Sequence, residues 1–362
     1  MPHSIPTTKQ KKDSMTTYNT SIFMGEGLDY IDKACIEIKD GKISGLDTKH
    51  KPKSKDLKDL IALPSLFNAH THMGDAFAKE ASLGLNVSKA VGSNGKKWNL
   101  LKHKNVNEQR EAIKGTLSYL ISSGTAGFCD FREEGKLGIQ ILIETIEGSP
   151  VKTVILGRED GAEGSNGWGI NVYSKDEILK KRKGRIVAIH AGEAPDEIRK
   201  ALELKPDIIV HATNATNEEI KEISRKNISV IVCPRANASM GVGYPPVRQM
   251  IDAGITVGLG TDNVMVNQPN LWREMEYLIK SSFLHGPLTT REVFQMATVN
   301  PRKIFGQRGG TIEEGQPADL IFIEKNAPNL NYSKDLLATI VTRCEPENVK
   351  KVMISGKFVY EK

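Results

Sequence analysis

Two histidines stand two apart in the run Leu63-Pro64-Ser65-Leu66-Phe67-Asn68-Ala69-His70-Thr71-His72. On a β-strand, residues i and i+2 point to the same side, so two imidazoles at this spacing can reach one cation. Three more candidate groups close apolar runs downstream: His190 in RIVAIHAGE, His211 in DIIVHATN and Asp262 in TVGLGTDN. We read His70, His72, His190 and Asp262 as a metal-ligand set. Imidazole and carboxylate suit zinc, and also iron or manganese. Glu193 follows His190 by three residues, where strand gives way to loop. Its carboxyl can take a proton from an activated water and deliver it to a ring nitrogen or leaving group. His211 can hold or polarise that water.

Substrate-facing candidates are Asp75, just after H-T-H-M-G, and residues of the long segment 85–105. A loop of that length is often a lid or binding loop. Within it Trp98 can stack on a flat ring, and Lys97 or His103 can meet an anionic group. Arg158, with Glu159 and Asp160, follows the third strand candidate.

These groups share one site only if the fold gathers them. Short apolar runs alternate with helix-like stretches through the middle of the chain. The strand candidates are Leu60–Leu63, Thr125–Phe131, Val151–Leu156, Gly169–Tyr173, Arg185–Ile189, Asp207–Val210, Ser229–Val232 and Ile255–Leu259. Helix-like segments lie between most of them, among them Glu108–Ser122, Leu137–Glu147, Asp176–Lys183 and Asn217–Lys226. Continuous apolar strands belong to sheets covered on both faces. Eight of them over about 250 residues fit a TIM-like (β/α)8 barrel, in which every C-terminal strand end converges on one face. A doubly wound open sheet is the rival. The two ends of the chain are β-rich with turn signals such as Asp40-Gly41. The expected organisation is a disordered tail over 1–17, a composite β-sandwich domain from 18–60 plus 309–362, and a catalytic barrel over 61–308.

Composition narrows the class. Hydrophobic residues make up 39% and charged residues 26%, the balance of a soluble globular chain. The net charge of +6 is spread along the chain, which argues against a nucleic-acid partner. No run of about 18 apolar residues exists to span a bilayer, and the polar start is not a secretory signal. The four cysteines lack C-x-x-C spacing and read as free thiols of a cytoplasmic protein. Phosphate-loop and nucleophile-elbow signatures are missing.

The residues LPSLFNAHTH, the H-x-x-E of His190–Glu193, His211, VIVCPRANASMGVG and LGTDN occur in this order. Together with LTTREVFQMATVNPRKIFG and GTIEEGQPADLIFIE near the end, they resemble the amidohydrolase superfamily. The branch they are most similar to is the mononuclear one of cytosine deaminase, guanine deaminase and triazine hydrolases. The resemblance covers about residues 20–360. It implies one divalent metal ion per chain, Zn2+ first and Fe2+ or Mn2+ as alternatives, on His70, His72, His190 and Asp262. It implies Glu193 as proton shuttle, His211 as acid–base or polarising residue, and Asp262 as a second proton acceptor. Binuclear relatives carry a modified lysine at the end of the fourth strand; GWGINVYS has none, which favours a single ion. The branch usually has serine before the asparagine in the Cys233-Pro234-Arg235-Ala236-Asn237 run; here Ala236 stands there, and Asn237 is kept as a substrate-facing candidate. The implied reaction is hydrolytic deamination of an aminated heterocycle. Cyclic-amide or chloro-triazine hydrolysis is the alternative, and an inactive relative serving as a binding protein is the non-enzyme alternative. The partner would be a small molecule, not nucleic acid or membrane, and a homodimer is left open.

Overall fold

The computed structural model describes residues 15–158, 164–172, 182 and 184–362. The expected tail falls mostly outside the described residues, and so does nearly all of the expected helix over 176–183.

The chain opens with strands β1 (Thr16–Met24), β2 (Asp29–Lys39), β3 (Lys42–Asp47) and β4 (Lys55–Pro64). The middle carries β5 (Leu66–His72), β6 (Thr125–Arg132), β7 (Lys152–Gly157), β8 (Gly167–Asn171) and β9 (Ile186–Ala191). It continues with β10 (Ile208–His211), β11 (Ser229–Val232), β12 (Val257–Leu259) and β13 (Asp262–Asn263). The end adds β14 (Leu320–Glu324), β15 (Val349–Ile354) and β16 (Lys357–Glu361).

The two ends form one hydrogen-bonded sheet in the order β16-β15-β14-β4-β1-β2-β3. These seven strands enclose a core of their own, among them Tyr18, Ile36, Ile43, Leu320 and Phe322. Leu60–Leu63 belongs to this sheet, not to the central one. That run sits in β4, with Leu63 opposite Ile321 of β14 and Ile61 opposite Ser21 of β1. The first central strand is β5, which begins after Pro64 and Ser65. The terminal sheet also starts at Thr16, inside the expected tail.

The nine central strands are parallel and ordered β12-β11-β10-β9-β8-β7-β6-β5-β13. β12 pairs with β11, while β13 pairs with β5. Only Gly260 and Thr261 separate β12 from β13, so one stretch of chain forms both edges and the sheet is curled. Successive side chains alternate between two clusters. Phe131, Leu156, Ala188, Val210 and Ile231 enter one, and Phe128, Ile155, Ile189, Ile209 and Val230 the other. Burial on both faces is why these strands read as unbroken apolar runs. The four cysteines are buried free thiols.

Helices follow the strands where capping signals stand. Asn105 accepts from the backbone N–H groups of Asn107 and Glu108 and starts helix Val106–Ser122. Thr216 and Glu219 cap helix Asn217–Arg225 reciprocally. The segment 85–105 is not an open loop. It holds helices Val87–Ala90 and Lys96–His103, the second buried through Lys97 and Leu101. Among the described residues, no helix is long and apolar enough to cross a membrane.

Candidate metal centre and active site

His70 and His72 end β5, His190 lies near the end of β9, His211 ends β10 and Asp262 opens β13. The four histidines stand at or near C-terminal strand ends, Asp262 stands three residues beyond the end of β12, and all five meet in space. Candidate ligand atoms of His70, His72 and His190 lie within 4.8 Å of one another, as do those of His70, His211 and Asp262. His70 Nε2 is 3.2 Å from Asp262 Oδ1, and His72 Nε2 is 3.4 Å from the same oxygen.

The strands make this approach possible by close contact. A Cβ on Gly260 would fall 2.6 Å from the His70 Cβ, so only glycine lets this stretch run against β5. Thr261 N–H donates to the His70 carbonyl at 3.1 Å, and the Asn68 side chain binds Thr261 through both N–H and hydroxyl. Asp262 has φ +62°, His211 +76° and Ala212 +47°, so the backbone turns sharply at two of the site's side chains.

The imidazoles are fixed through their other nitrogens. His72 Nδ1 donates to the Phe131 carbonyl at 2.9 Å and to Glu133 Oε1 at 2.5 Å. His190 Nδ1 donates to the Ile170 carbonyl at 3.0 Å, which leaves Nε2 with its lone pair. That Nε2 is buried and has no hydrogen-bond partner among the described residues. Burial holds the His70 ring down to about 3 and the His190 ring well below the ordinary histidine value. Both rings are therefore neutral and able to donate electron pairs. Burial alone would raise Asp262, but its hydrogen bond to His70 and the neighbouring imidazoles hold it far below the usual carboxylate range. Neutral imidazoles, an anionic carboxylate and an orphaned buried nitrogen fit a cation in their midst.

A cavity of about 460 Å³ opens over this cluster. Glu193 lines it, with Oε1 3.9 Å from His211 Nε2. The loop carrying Glu193 is pinned by Glu197, whose Oε2 accepts from the N–H groups of Gly192, Glu193 and Ala194. Burial raises the proton affinity of Glu193; His211 opposes this, and the Asp262 and Glu197 charges add to it. His211 Nδ1 donates to Asn237 Oδ1 at 3.0 Å, and Asn237 in turn donates to Thr213 Oγ1 at 2.8 Å.

The substrate-facing expectations divide. Trp98 and Arg158 line the cavity, with the Arg158 guanidinium 5.5 Å from the Trp98 ring centre. Lys97 also reaches it, but its ammonium is buried against Glu133 and Asp75, so it is not free to meet an anion. Asp75 is buried outside the cavity wall; it accepts from Asn263 Nδ2 at 2.7 Å and from the Met265 N–H at 3.0 Å. Asn237 is buried behind His211 and does not line the cavity, and His103 is exposed away from it. Glu159 and Asp160 lie outside the described residues. Glu133 is the residue that motif reading passes over. Its signal is the acidic pair Glu133-Glu134 directly after β6, at the strand end where the other site groups stand.

Comparison with known proteins agrees with this layout. The amidohydrolase family model matches residues 166–359. A protein of Methanothermobacter thermautotrophicus with the provisional name aminohydrolase is 32% identical, over 89% of this chain and 93% of its own. A 5-methylthioadenosine/S-adenosylhomocysteine deaminase of Caldanaerobacter subterraneus is 28% identical, over 84% of this chain and 82% of its own. In three dimensions, atrazine chlorohydrolase of Arthrobacter aurescens, solved with zinc, superposes with a TM-score of 0.83 at 18% identity, over 96% of this chain and 95% of its own. The chain belongs to the amidohydrolase family.

Proposed function

We propose that this protein is a metal-dependent hydrolytic deaminase of a small aminated heterocycle. The observation that carries the reading is the convergence of His70, His72, His190 and Asp262 under a cavity that Glu193 also lines. The similarity to a deaminase that acts on adenosyl thioethers supports the reaction type. The curled sheet is read as a (β/α)8 barrel, with β12 and β13 as one interrupted strand, and the terminal sheet as a separate domain.

His70, His72, His190 and Asp262 would hold one divalent cation; three imidazoles and a carboxylate suit zinc, iron or manganese, and the zinc in the chlorohydrolase neighbour supports zinc. When bound, the ion supplies Lewis acidity, which lowers the pKa of water from about 15.7 toward about 7.

The protein's own groups do the rest. His211 donates through Nδ1 to Asn237, which turns its Nε2 toward the cavity, where it orients the attacking water. Water adds to the ring carbon that bears the amine. Glu193 takes a proton from the water and hands it to the adjacent ring nitrogen, which removes the charge that would build there. Asp262 accepts the second proton, which passes to the amine. The carbon–nitrogen bond breaks, ammonia leaves and a carbonyl remains. Burial suits Glu193 to this exchange, because its raised proton affinity brings it closer to neutral pH. The cavity is of small-molecule size.

The test is an ammonia-release screen of zinc-loaded protein on aminated purines, pyrimidines, pterins and adenosyl thioethers. Zinc-dependent ammonia from at least one class is expected. Stoichiometric zinc without ammonia from any of them would overturn the deaminase reading.

A further inference from the structure

Helix Lys96–His103 is docked by lysines at its two ends. Lys97 pairs with Glu133 and Lys104, just past the last turn, pairs with Glu134. The Lys97 contact is the deeper one. Its side chain is 2% exposed, Glu133 is fully buried, and Asp75, 3.4 Å from the Lys97 Nζ, is 1% exposed. Each of the two carboxylates supports a different strand end. Glu133 holds the His72 ring through Nδ1. Asp75 holds the Asn263 side chain and the Met265 N–H, which continue the chain from Asp262.

We propose that Lys97 is a positioning residue for the metal centre: its buried ammonium braces Glu133 and Asp75, and through them the His72 ring and the strand end carrying Asp262. The inference rests on the metal reading above. Without the ammonium, the two buried carboxylates lose the cation that contacts both of them, which is unfavourable. Glu133 is then no longer held in place, and the His72 ring loses its fixed orientation. Loss of such outer supports typically weakens metal binding about 10–100-fold. The same helix places Trp98 on the cavity wall, so docking of this helix and completion of the metal support are one event.

The experiment measures zinc affinity of the full chain by competition with a chromogenic chelator, with circular dichroism as the check on folding. Lys97→Met should bind zinc about 10–100-fold more weakly, Lys97→Arg should recover most of that loss, and Asp75→Asn should lose affinity to a smaller degree. Lys102→Met, exposed on the same helix, should bind as the wild type does. Wild-type affinity in both Lys97→Met and Asp75→Asn would overturn the proposal, as would a Lys97→Arg protein no better than Lys97→Met. If Lys97→Met does not fold, Asp75→Asn decides alone, and wild-type affinity there overturns the brace. A wild-type chain that binds no zinc overturns the metal reading and this inference together; zinc-binding variants indistinguishable from wild type overturn this inference only.

Discussion

The Nε2 atom of His70 lies 3.2 Å from Oδ1 of Asp262, across 192 residues of sequence. Two ligands at about 2.1 Å from a tetrahedral ion are roughly 3.4 Å apart, so this separation, a hydrogen bond here, is close to the one a shared cation needs. It is produced by backbone. β13 pairs directly with β5, placing Asp262 opposite Thr71, and Gly260 permits the approach. The site is thus built into the joint where the sheet curls back on itself.

Glu193→Gln should retain the metal and lose turnover by about 10²–10⁴, the usual worth of a positioned general acid–base. Elemental analysis beside an ammonia assay checks this. Ordinary turnover in the metal-loaded variant would remove Glu193 from the mechanism.

Asn237→Ala leaves the buried Nδ1 of His211 without an acceptor. The unsatisfied group should cost about 1–3 kcal/mol of stability, and kcat should fall because the ring is no longer held with Nε2 toward the cavity. Metal content should be unchanged. Denaturant unfolding and steady-state kinetics together report the two effects, and an unaltered kcat would show that the ring needs no such hold.

Gly260→Ala introduces a methyl 2.6 Å from the His70 Cβ and 2.9 Å from the His70 nitrogen. Backbone has to move, at about 1–3 kcal/mol. The prediction is a lower unfolding midpoint together with weaker zinc binding, read in one set of zinc-titrated melts. A variant with wild-type zinc affinity would show that the ligands tolerate strand separation here.

Glu274, fully buried on helix Leu271–Ser282, supplies a pH test at a residue that is not itself a ligand. Burial pushes its carboxyl up to about 8, against the Arg235 charge and backbone N–H, with the Asp262 charge adding to the rise. The unfolded chain titrates near the ordinary value of about 4.3, so between the two values the folded state binds more protons. Stability from this group is full below the unfolded value and is lost as pH rises through about 8. Unfolding free energy should therefore fall with pH across that window, and Glu274→Gln should flatten the slope. An unchanged slope in the variant would assign the pH dependence elsewhere.

The ligand histidines are legible in the sequence because each ends an apolar run, and because the two-residue spacing of His70 and His72 fixes a common side. Asp262 is legible for the same reason. Lys97 and Asp75 stand out in the sequence only as substrate-facing candidates, and Glu133 does not stand out at all. Charged residues in runs such as Gly95-Lys96-Lys97 and Arg132-Glu133-Glu134 look like solvated surface, and only the fold shows that they neutralise one another inside. Asn237 is misplaced by sequence because a side chain beside a pocket motif gives no sign of whether it faces the pocket or a neighbouring imidazole. Leu60–Leu63 reads like any buried strand, since burial between β1 and β14 leaves the same apolar pattern as burial in the central sheet. The helices in 85–105 escape because glycine, serine and lysine dilute their apolar faces.

Anomalous diffraction from crystals of zinc-loaded protein, recorded on both sides of the zinc absorption edge, is the most direct test. One zinc peak per chain is expected, about 2.0–2.2 Å from a ring nitrogen of each of His70, His72 and His190 and from a carboxylate oxygen of Asp262. Loaded crystals with no peak among these four side chains, or with the ion bound elsewhere, would contradict the metal centre and the chemistry built on it.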